Sequence, residues 1–374
     1  MVIDVGRDRV LAYRAAAQEL ARTGTEPESL RVFRLGVQDN QSGAAVLALA
    51  ARCSGTFTSD DVFDGGRTVR TWSVRGAPHL HGRAELPGLA TALWPLDDGD
   101  AETRLGSSGR AVRKAGVSGT EAFRLVAAAM RDTVTEPMTK GDASAGVSRR
   151  VPDALKYDCR TCGATHVYGS LFQNAALAAG ILLDPRASGT VLLPDSEAGS
   201  IPGEARGTDE LIRAYLRLHG PATPETVADF FGTRADRIRR VWPEGLTEVR
   251  VAGSAAWLDD SGTEELRSAP PFEEVRLLPP TDPFLQARDR SLLLPDESRR
   301  KELWKSLNSP GAVFARGEIL GTWRLRGAGR KRSELRTSWF EGAPDSELRS
   351  AVEREAERVR EVNGVEEVRV VFEE

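Results

Sequence analysis

The stretch His219-Gly220-Pro221-Ala222-Thr223-Pro224 decides how the middle of the chain folds, because it ends one helix and starts another. The run 209–219 repeats apolar residues with helical spacing, and a glycine followed by a proline stops such a helix. Thr223 then fits an N-cap, and Pro224 fits the first helical position, where its missing N–H is not needed. The stretch therefore predicts two helices joined by a tight turn.

A third helix and a hairpin complete this module, which covers residues 205–268. Phe231-Gly232-Thr233 forms a turn before a short helix predicted over 235–241. The segments 247–251 and 255–258 have strand-type patterns, which predicts a pair of strands. Three helices followed by a β hairpin are typical of a winged helix-turn-helix.

Two further modules precede this one and have the same kind of architecture without obvious sequence identity. The first module covers 1–117 and is predicted to contain helices over 8–23, 43–52 and 86–93 and a strand over 68–74. The second covers 118–204, where Ser118 and Glu121 form a plausible capping box for a helix over 120–134. Its other predicted elements are a wing or loop over 138–149, helices over 152–157 and 170–179, and a strand over 191–193.

The chain changes character after Ser268-Ala269-Pro270-Pro271, and β-type segments dominate residues 269–374. Short strands are predicted over 275–278, 291–294, 311–316, 318–326, 335–340 and 367–372. One helix over 345–363 interrupts them. This density of short strands suits a small barrel or a strongly bent sheet. The predicted fold class is α+β, with three tandem winged-helix modules followed by a C-terminal β-barrel.

The composition is that of an ordinary soluble protein, since 40% of the 374 residues are hydrophobic and 28% are charged. A net charge of −4 excludes binding of nucleic acid through overall positive charge and directs attention to local basic clusters. No segment approaches the ~20 apolar residues that span a bilayer, and the charged N-terminus does not fit a signal peptide. We therefore expect a cytoplasmic bacterial protein that does not bind membranes.

The amide segment, Leu35-Gly36-Val37-Gln38-Asp39-Asn40-Gln41-Ser42-Gly43, is the main candidate for chemistry. If strand alternation holds from Leu35 onward, Gln38 and Asn40 share one face. Two neighbouring amides can hold a water molecule and hydrogen-bond a sugar or a phosphate, but they do not ionise. Such a pair suits a reaction whose leaving group needs no acid. The segment also suits a polar turn in which Asp39 or Asn40 caps the next helix, and both interpretations stay open.

A count of three cysteines argues against a fold that is stabilised by several disulfides. Cys159 and Cys162 form a CxxC motif with His166 four residues further on, and Cys53 lies far away in sequence. A structural zinc usually takes four ligands, and the sequence holds no second CxxC. The residues before the motif lack a strand pattern, which argues against a thioredoxin-like redox site. Two reduced thiols on a helix or turn are the preferred interpretation, and no metal or cofactor is predicted.

A basic run over 323–332 has the form of a strand, a glycine turn and a return strand. Cations close to one exposed turn favour a contact with DNA phosphates or a groove. A solvated strand edge, whose charges prevent aggregation, is the alternative. The candidate DNA contacts are Arg324, Arg326, Arg330, Lys331, Arg332 and Arg336.

Five motifs in chain order resemble the AlkZ/AlkX (YcaQ-like) family of bacterial winged-helix DNA glycosylases, essentially over the full length. They are Tyr13-Arg14-Ala15-Ala16-Ala17-Gln18, Leu35-Gly36-Val37-Gln38-Asp39, Arg75-Gly76-Ala77-Pro78-His79, His219-Gly220-Pro221-Ala222-Thr223-Pro224, and Asp282-Pro283-Phe284-Leu285-Gln286-Ala287-Arg288-Asp289-Arg290. The resemblance implies three tandem winged-helix units around a C-terminal β-barrel, in accord with the pattern of elements above.

The resemblance also implies a catalytic activity. Members of that family carry a Q-x-Q or Q-x-D motif that orients the hydrolytic water. Gln38 matches the first position, whereas Asn40 at the third departs from the pattern and makes Asp39 a further candidate. The implied reaction is hydrolysis of the N-glycosidic bond of a bulky, genotoxin-derived N7-alkylguanine, which leaves an abasic site. The motif contains no lysine to form a Schiff base, so the enzyme would be monofunctional.

The implied partner is double-stranded DNA that bears alkylated guanine, bound by a monomer in an open cleft. The resemblance further implies a role in DNA repair or in the self-resistance of an antibiotic producer, and a DNA-probing hairpin in the barrel. The competing interpretation is a non-catalytic winged-helix DNA-binding protein or regulator. Three divergent modules in one chain, without an evident dimerisation helix, favour the enzyme over the regulator.

Overall fold

The computed structural model describes residues 2–41, 43–327 and 331–373 and shows a mixed α+β protein, as predicted. Two compact units make up the chain. Unit 1 consists of Met1–Gly65, Arg213–Thr226 and Glu244–Glu374, and unit 2 of Gly66–Ile212 and Val227–Pro243. The division into four consecutive modules therefore stays a prediction, since each compact unit combines segments from several of them.

The helices and strands lie mostly where the sequence predicts them. The helices of the described residues are α1 (Arg7–Ala17), α2 (Ala44–Ala50), α3 (Ser59–Phe63), α4 (Leu86–Ala92), α5 (Asp98–Arg104), α6 (Ser107–Lys114), α7 (Gly119–Thr133), α8 (Lys140–Arg150), α9 (Gly169–Ala175), α10 (Thr208–His219), α11 (Pro224–Phe231), α12 (Ala235–Arg240), α13 (Thr263–Ser268), α14 (Arg290–Leu293), α15 (Glu297–Leu303) and α16 (Ser346–Asn363). The strands are β1 (Ile3–Val5), β2 (Val37–Gln38), β3 (Thr68–Trp72), β4 (Pro78–Gly82), β5 (Met138–Thr139), β6 (Lys156–Cys159), β7 (Ala164–Val167), β8 (Ile181–Leu183), β9 (Val191–Pro194), β10 (Leu246–Val251), β11 (Ser254–Asp259), β12 (Val275–Leu278), β13 (Gly311–Ala315), β14 (Glu318–Arg326), β15 (Arg332–Trp339) and β16 (Glu367–Glu373).

The stretch between α10 and α11 has the predicted turn. The Thr223 hydroxyl accepts the backbone N–H of Thr226 at 3.3 Å, which is the predicted N-cap. Ala222 and Trp257 exchange two backbone hydrogen bonds and so tie this turn to β11. Strand β10 pairs with β11 in antiparallel fashion and with β1 in parallel fashion. The predicted order of three helices and a hairpin is present, and its assignment as a winged helix stays an interpretation.

Residues 138–149, predicted as a wing or loop, form β5 and helix α8 instead. The Thr139 side chain accepts the N–H of Asp142 at 3.2 Å and caps the helix. A Cβ added to Gly146 would lie 2.4 Å from the side chain of Thr133 on α7. A loop was predicted because this segment is polar and contains glycine, but Gly146 is the residue that allows α8 to pack closely on α7.

Two short segments, 291–294 and 152–157, also adopt a secondary structure that differs from the prediction. Residues 291–294 were predicted as a strand, but Arg290–Leu293 form α14, since a short apolar run does not distinguish a strand from a buried helix. Residues 152–157 were predicted as a helix, but a single 3₁₀ turn over Asp153–Leu155 leads directly into β6. The predicted absence of a strand before the CxxC motif is therefore wrong.

The C-terminal strands form an open sheet rather than the predicted closed barrel. Within the described residues the order is β12-β13-β14-β15-β16, antiparallel except for the parallel pair of β15 and β16. Helix α16 connects this parallel pair and covers one face of the sheet, where Val352, Val359 and Trp323 belong to one apolar core. Because the helix already buries that face, the sheet needs no second layer of strands.

Each compact unit has its own apolar core. In unit 2 the core centres on α7 and α9, with Trp72, Phe123 and Phe172 among its members. In unit 1 one core lies beneath α16, and another joins α1 to the segment around Phe284 and Phe314. Among the described residues, no helix combines the length and apolar character that crossing a bilayer requires.

Candidate functional site

The amide segment is a short strand followed by a bend. Strand β2 ends at Gln38, so that strand alternation does not extend to Asn40. Gln38 and Asp39 are 9% and 6% exposed as whole residues, whereas Asn40 is exposed. The Thr281 hydroxyl donates a 2.9 Å hydrogen bond to the Gln38 carbonyl and fixes the backbone there. The roles of Gln38, Asp39 and Asn40 stay predictions.

Asp39 connects the amide segment to the helix that follows it. Its Oδ1 accepts the backbone N–H of Ala45, in the first turn of α2, at 3.2 Å. Gly43 precedes this turn with a φ of +83°, a left-handed conformation that favours glycine. Asp39 thus caps the following helix, as the turn interpretation predicts, because it accepts a hydrogen bond from an N–H that has no acceptor within the helix.

A buried ion pair lies at the other end of α2. Arg52 and Asp282 are both fully buried and share two hydrogen bonds of 2.8 Å. Arg52 also donates to the Ala48 carbonyl at 2.7 Å and to Gln18 Oε1 at 3.1 Å. Since Asp282 directly follows Thr281, this pair anchors the turn that holds Gln38.

Helix α1 extends this arrangement into a polar network formed by Arg14, Gln18, Arg52, Asp282 and Asp289. Gln18 Nε2 donates to the Leu218 carbonyl at 3.0 Å. Arg14, fully buried, donates to both carboxylate oxygens of Asp289 at 2.9 and 2.6 Å and to the Gly220 carbonyl at 3.2 Å. The motifs 13–18, 219–224 and 282–290 therefore meet in one network beneath the amide segment. The sequence signal for it is the presence of Arg14 and Gln18 within the otherwise apolar, alanine-rich run 10–18.

His79 and His81 lie on β4 and are both buried. His79 Nδ1 is 2.9 Å from the Ala77 carbonyl, and His81 Nε2 is 2.9 Å from the Ser73 hydroxyl. Burial, and secondly the neighbouring His81, hold the pKa of His79 well below its ordinary value. A buried histidine with hydrogen bonds of this kind suits a structural role in the hairpin of β3 and β4.

Strands β14 and β15 present a basic face, which consists of Thr322, Arg324 and Arg326 on β14 and Arg336 and Ser338 on β15. The register places Arg324 directly opposite Arg336, and Thr322 opposite Ser338. The five residues line a groove of about 600 Å³ together with Lys305, Pro310 and Glu373. Burial, and secondly the charge of Arg326, lower the pKa of Arg324. Positive charges this close together favour the binding of an anion.

The six predicted DNA contacts differ in their surroundings. Arg332 is paired with Glu367 at 2.8 Å, and Arg336 with Glu334 at 2.7 Å and Glu373 at 3.2 Å. Lys331 and Arg326 are exposed. Arg330 lies outside the described residues. Of these candidates, Arg324 and Arg326 line the groove. Neither has a carboxylate partner among the described ion pairs.

Residues 32–362 match the family described as DNA glycosylase AlkZ-like, and the chain belongs to this family of DNA glycosylases. An interstrand DNA cross-link repair glycosylase of Streptomyces sahachiroi is 31% identical over 191 residues, which are 47% of this chain and 49% of that protein. The match thus spans about half the length of this curated relative. The solved structure of the Streptomyces sahachiroi DNA glycosylase AlkZ superposes with a TM-score of 0.77 over 99% of this chain and 100% of that chain. At 23% identity, this likeness shows a shared fold.

Proposed function

We propose that this protein is a monofunctional DNA glycosylase that removes N7-alkylated guanine from double-stranded DNA and leaves an abasic site. The observation that carries the proposal is the amide segment, which places Gln38 at the first motif position and fixes its backbone through Thr281. Membership of the AlkZ-like DNA glycosylase family supports the reaction class. The name of the relative from Streptomyces sahachiroi supports a bulky or cross-linked adduct as the substrate.

The chemistry needs no general acid. A guanine alkylated at N7 carries a positive charge and leaves as a neutral base once its glycosidic bond breaks. The protein must then stabilise a sugar with oxocarbenium character and hold a water molecule against its anomeric carbon. Positioning can supply several kcal/mol of this catalysis. We assign this task to the side chains of Gln38 and Asn40.

Asp39 has a double role in this proposal. Its hydrogen bond to Ala45 holds the amide segment at the start of α2. Its carboxylate also supplies a fixed negative charge beside the developing positive charge of the sugar, and such a charge can contribute about 3 kcal/mol. In this way Asp39 offsets the departure at Asn40, which cannot act as a carboxylate.

The basic face is the proposed contact to the DNA backbone. The groove of about 600 Å³ combines Arg324, Arg326 and Lys305 in one place. Phosphate contacts of this type position a protein on the duplex without reading its sequence. The protein would act as a monomer in the cytoplasm, for DNA repair or for self-resistance to a DNA-alkylating natural product.

Base excision from a duplex oligonucleotide tests the proposal. One substrate carries a single N7-methylguanine and the other a bulky N7 adduct, and alkali-induced cleavage reports abasic sites. We expect release by the wild type and a loss of about 100-fold or more in Gln38→Ala and Asn40→Ala, the size found for removal of one positioned polar group. Gln41→Ala, an exposed amide of the same segment, is the matched control and should retain activity.

The rival interpretation gives a different result. If the wild type releases neither base but binds the duplex, the protein is a non-catalytic DNA-binding member of the family. If Gln38→Ala and Asn40→Ala release the base as fast as the wild type, the amide segment is not the catalytic site.

A further inference from the structure

The hairpin of β6 and β7 brings together three residues that bind soft or borderline metal ions. Cys159 ends β6, Cys162 lies in the turn, and His166 lies on β7 opposite Tyr157. The turn closes with a 2.9 Å hydrogen bond from the Gly163 N–H to the Cys159 carbonyl, and Gly163 has a φ of +64°. The two sulfurs and one imidazole nitrogen lie within 4.8 Å of one another.

We propose that Cys159, Cys162 and His166 bind one Zn²⁺ ion that holds this hairpin together. Zn–S and Zn–N bonds of ~2.3 and ~2.0 Å place two tetrahedral ligands about 3.5 Å apart. Cys162 Sγ and His166 Nε2 are 2.9 Å apart, so the ion requires these two atoms to separate by a fraction of an ångström. Thiolate and imidazole are the ligands that zinc prefers in proteins.

The surroundings of the three ligands suit a metal as well. The other ring nitrogen of His166, Nδ1, is 3.4 Å from the Ser144 hydroxyl on α8. A hydrogen bond to the second nitrogen orients a metal-binding imidazole and fixes its tautomer.

Apart from the 2.7 Å hydrogen bond from the Thr165 hydroxyl to Asp158 and the stacking of Tyr157 on Tyr168, the hairpin has few contacts that stabilise it. On β6 and β7, Tyr157, Asp158, Ala164 and Thr165 are exposed, and only Val167 is fully buried among the eight strand residues, all of which the structure describes. An isolated two-stranded hairpin is at best marginally stable in water. The Val167 N–H donates to Ser148 on α8 at 2.9 Å and secures the base of the hairpin, but not its tip. A metal at the tip would supply the missing constraint.

The described residues supply three ligands, and a tetrahedral ion takes a fourth. A structural zinc usually has four protein ligands, and here a water molecule would take the fourth position, since Cys162 is exposed to solvent. We assign the ion a structural role, because it lies in a hairpin of unit 2, outside the amide segment. The proposal is therefore independent of the glycosylase activity.

Metal analysis of the full-length protein, purified without chelator and under reducing conditions, tests the proposal. We expect about one zinc per chain, and at least a tenfold lower content in Cys162→Ser and in His166→Gln. Cys53→Ala is the matched control, since Cys53 is a buried cysteine outside the hairpin, and it should retain the zinc. Cobalt added to the metal-free protein should give the thiolate-to-cobalt charge-transfer band in the wild type and lose it in Cys162→Ser.

A second readout reports the role of the ion. Arg160 lies between Cys159 and Cys162 and is exposed, so that trypsin can cleave after it. Chelation should accelerate this cleavage at least tenfold, and added zinc should restore protection. If the purified protein contains no zinc and the reduced protein does not bind cobalt, the proposal is overturned. A Cys159–Cys162 disulfide in protein kept under reducing agent, or zinc that persists in His166→Gln, would overturn it as well.

Discussion

The amide segment and the basic face are both polar, but they are built in different ways. The amide segment rests on fully buried groups, among them the Arg52–Asp282 pair, and its backbone is fixed by Thr281. The basic face carries partly and fully exposed arginines, of which Arg336 is paired with the half-exposed Glu373, while Arg324 and Arg326 have no carboxylate partner among the described ion pairs. Removing one member of a buried pair leaves a desolvated charge, whereas solvent screens an exposed one. The first region is therefore suited to precise placement, and the second to adaptable, salt-dependent contact.

Disruption of the buried ion pair should have the largest effect. Asp282→Ala leaves the Arg52 guanidinium buried without its carboxylate, and we expect a loss of about 3–5 kcal/mol in the free energy of unfolding. Glu341→Gln, which removes the exposed partner of Arg299, is the control and should cost less than about 1 kcal/mol. Denaturant unfolding measures both. Equal, small losses would show that the two regions do not differ in the way described above.

Acid should weaken the protein through its buried histidines. Burial keeps the pKa of His79 and of His219 well below the ordinary value, so that the unfolded chain takes up protons that the folded chain does not. Stability is therefore full above the unfolded pKa and falls as the pH drops below about 6.5, by about 1.4 kcal/mol per histidine one pH unit lower. Unfolding midpoints at pH 7.5 and 5.5 test this. An unchanged midpoint would contradict the neutral state of both side chains.

Asp39 allows its two proposed roles to be separated. Asp39→Asn keeps an oxygen acceptor for the Ala45 N–H but removes the charge. We expect the free energy of unfolding to stay within about 0.5 kcal/mol, and base excision to slow by about tenfold or more, a loss of ~1.4 kcal/mol in the barrier. Asp39→Ala should reduce both quantities. Excision by Asp39→Asn at the wild-type rate would restrict Asp39 to holding the segment.

The basic face should give the smallest and most salt-dependent effect. The double variant Arg324→Gln/Arg326→Gln removes two phosphate contacts, and we expect the slope of log K against log salt to become less steep by about 0.9 per contact. Arg332→Gln is the control, since Arg332 is already paired with Glu367 and should change the slope less. Fluorescence anisotropy with an undamaged duplex measures the slope. An unchanged slope in the double variant would favour the solvated-edge interpretation.

Sequence signals for the start of a helix were reliable, because a single capping residue acts on its immediate neighbours. Thr223 with Pro224 predicted the start of α11, and Ser118 predicted the cap of α7, which the hydrogen bond from the Glu121 N–H confirms. Asp345 caps α16 in the same manner, with the Leu348 N–H as donor. Such signals need only neighbours in the chain, because a cap is satisfied within three residues.

The incorrect predictions share a different cause. Gly146 suggested a loop until its contact with Thr133 on another helix was known. Lys156 and Tyr157 lacked a strand pattern, but their partners Val167 and His166 on β7 make them a strand. The barrel was predicted from strand density and from the family resemblance, whereas the structure shows an open sheet with one face covered by α16. Each of these outcomes is set by a partner distant in sequence or lying on another element.

The sequence by itself determined the α+β class, most elements, the identity of the amide segment and the resemblance that the family match bears out. The tertiary structure decided that the C-terminal sheet is open with α16 on one face, that Arg14, Gln18, Arg52, Asp282 and Asp289 form one network, and that Cys159, Cys162 and His166 meet. The physical reason is the range of the interactions. Helix caps, turns and apolar periodicity act over a few residues, whereas ion pairs, sheet closure and ligand clusters depend on distances that only the folded chain sets.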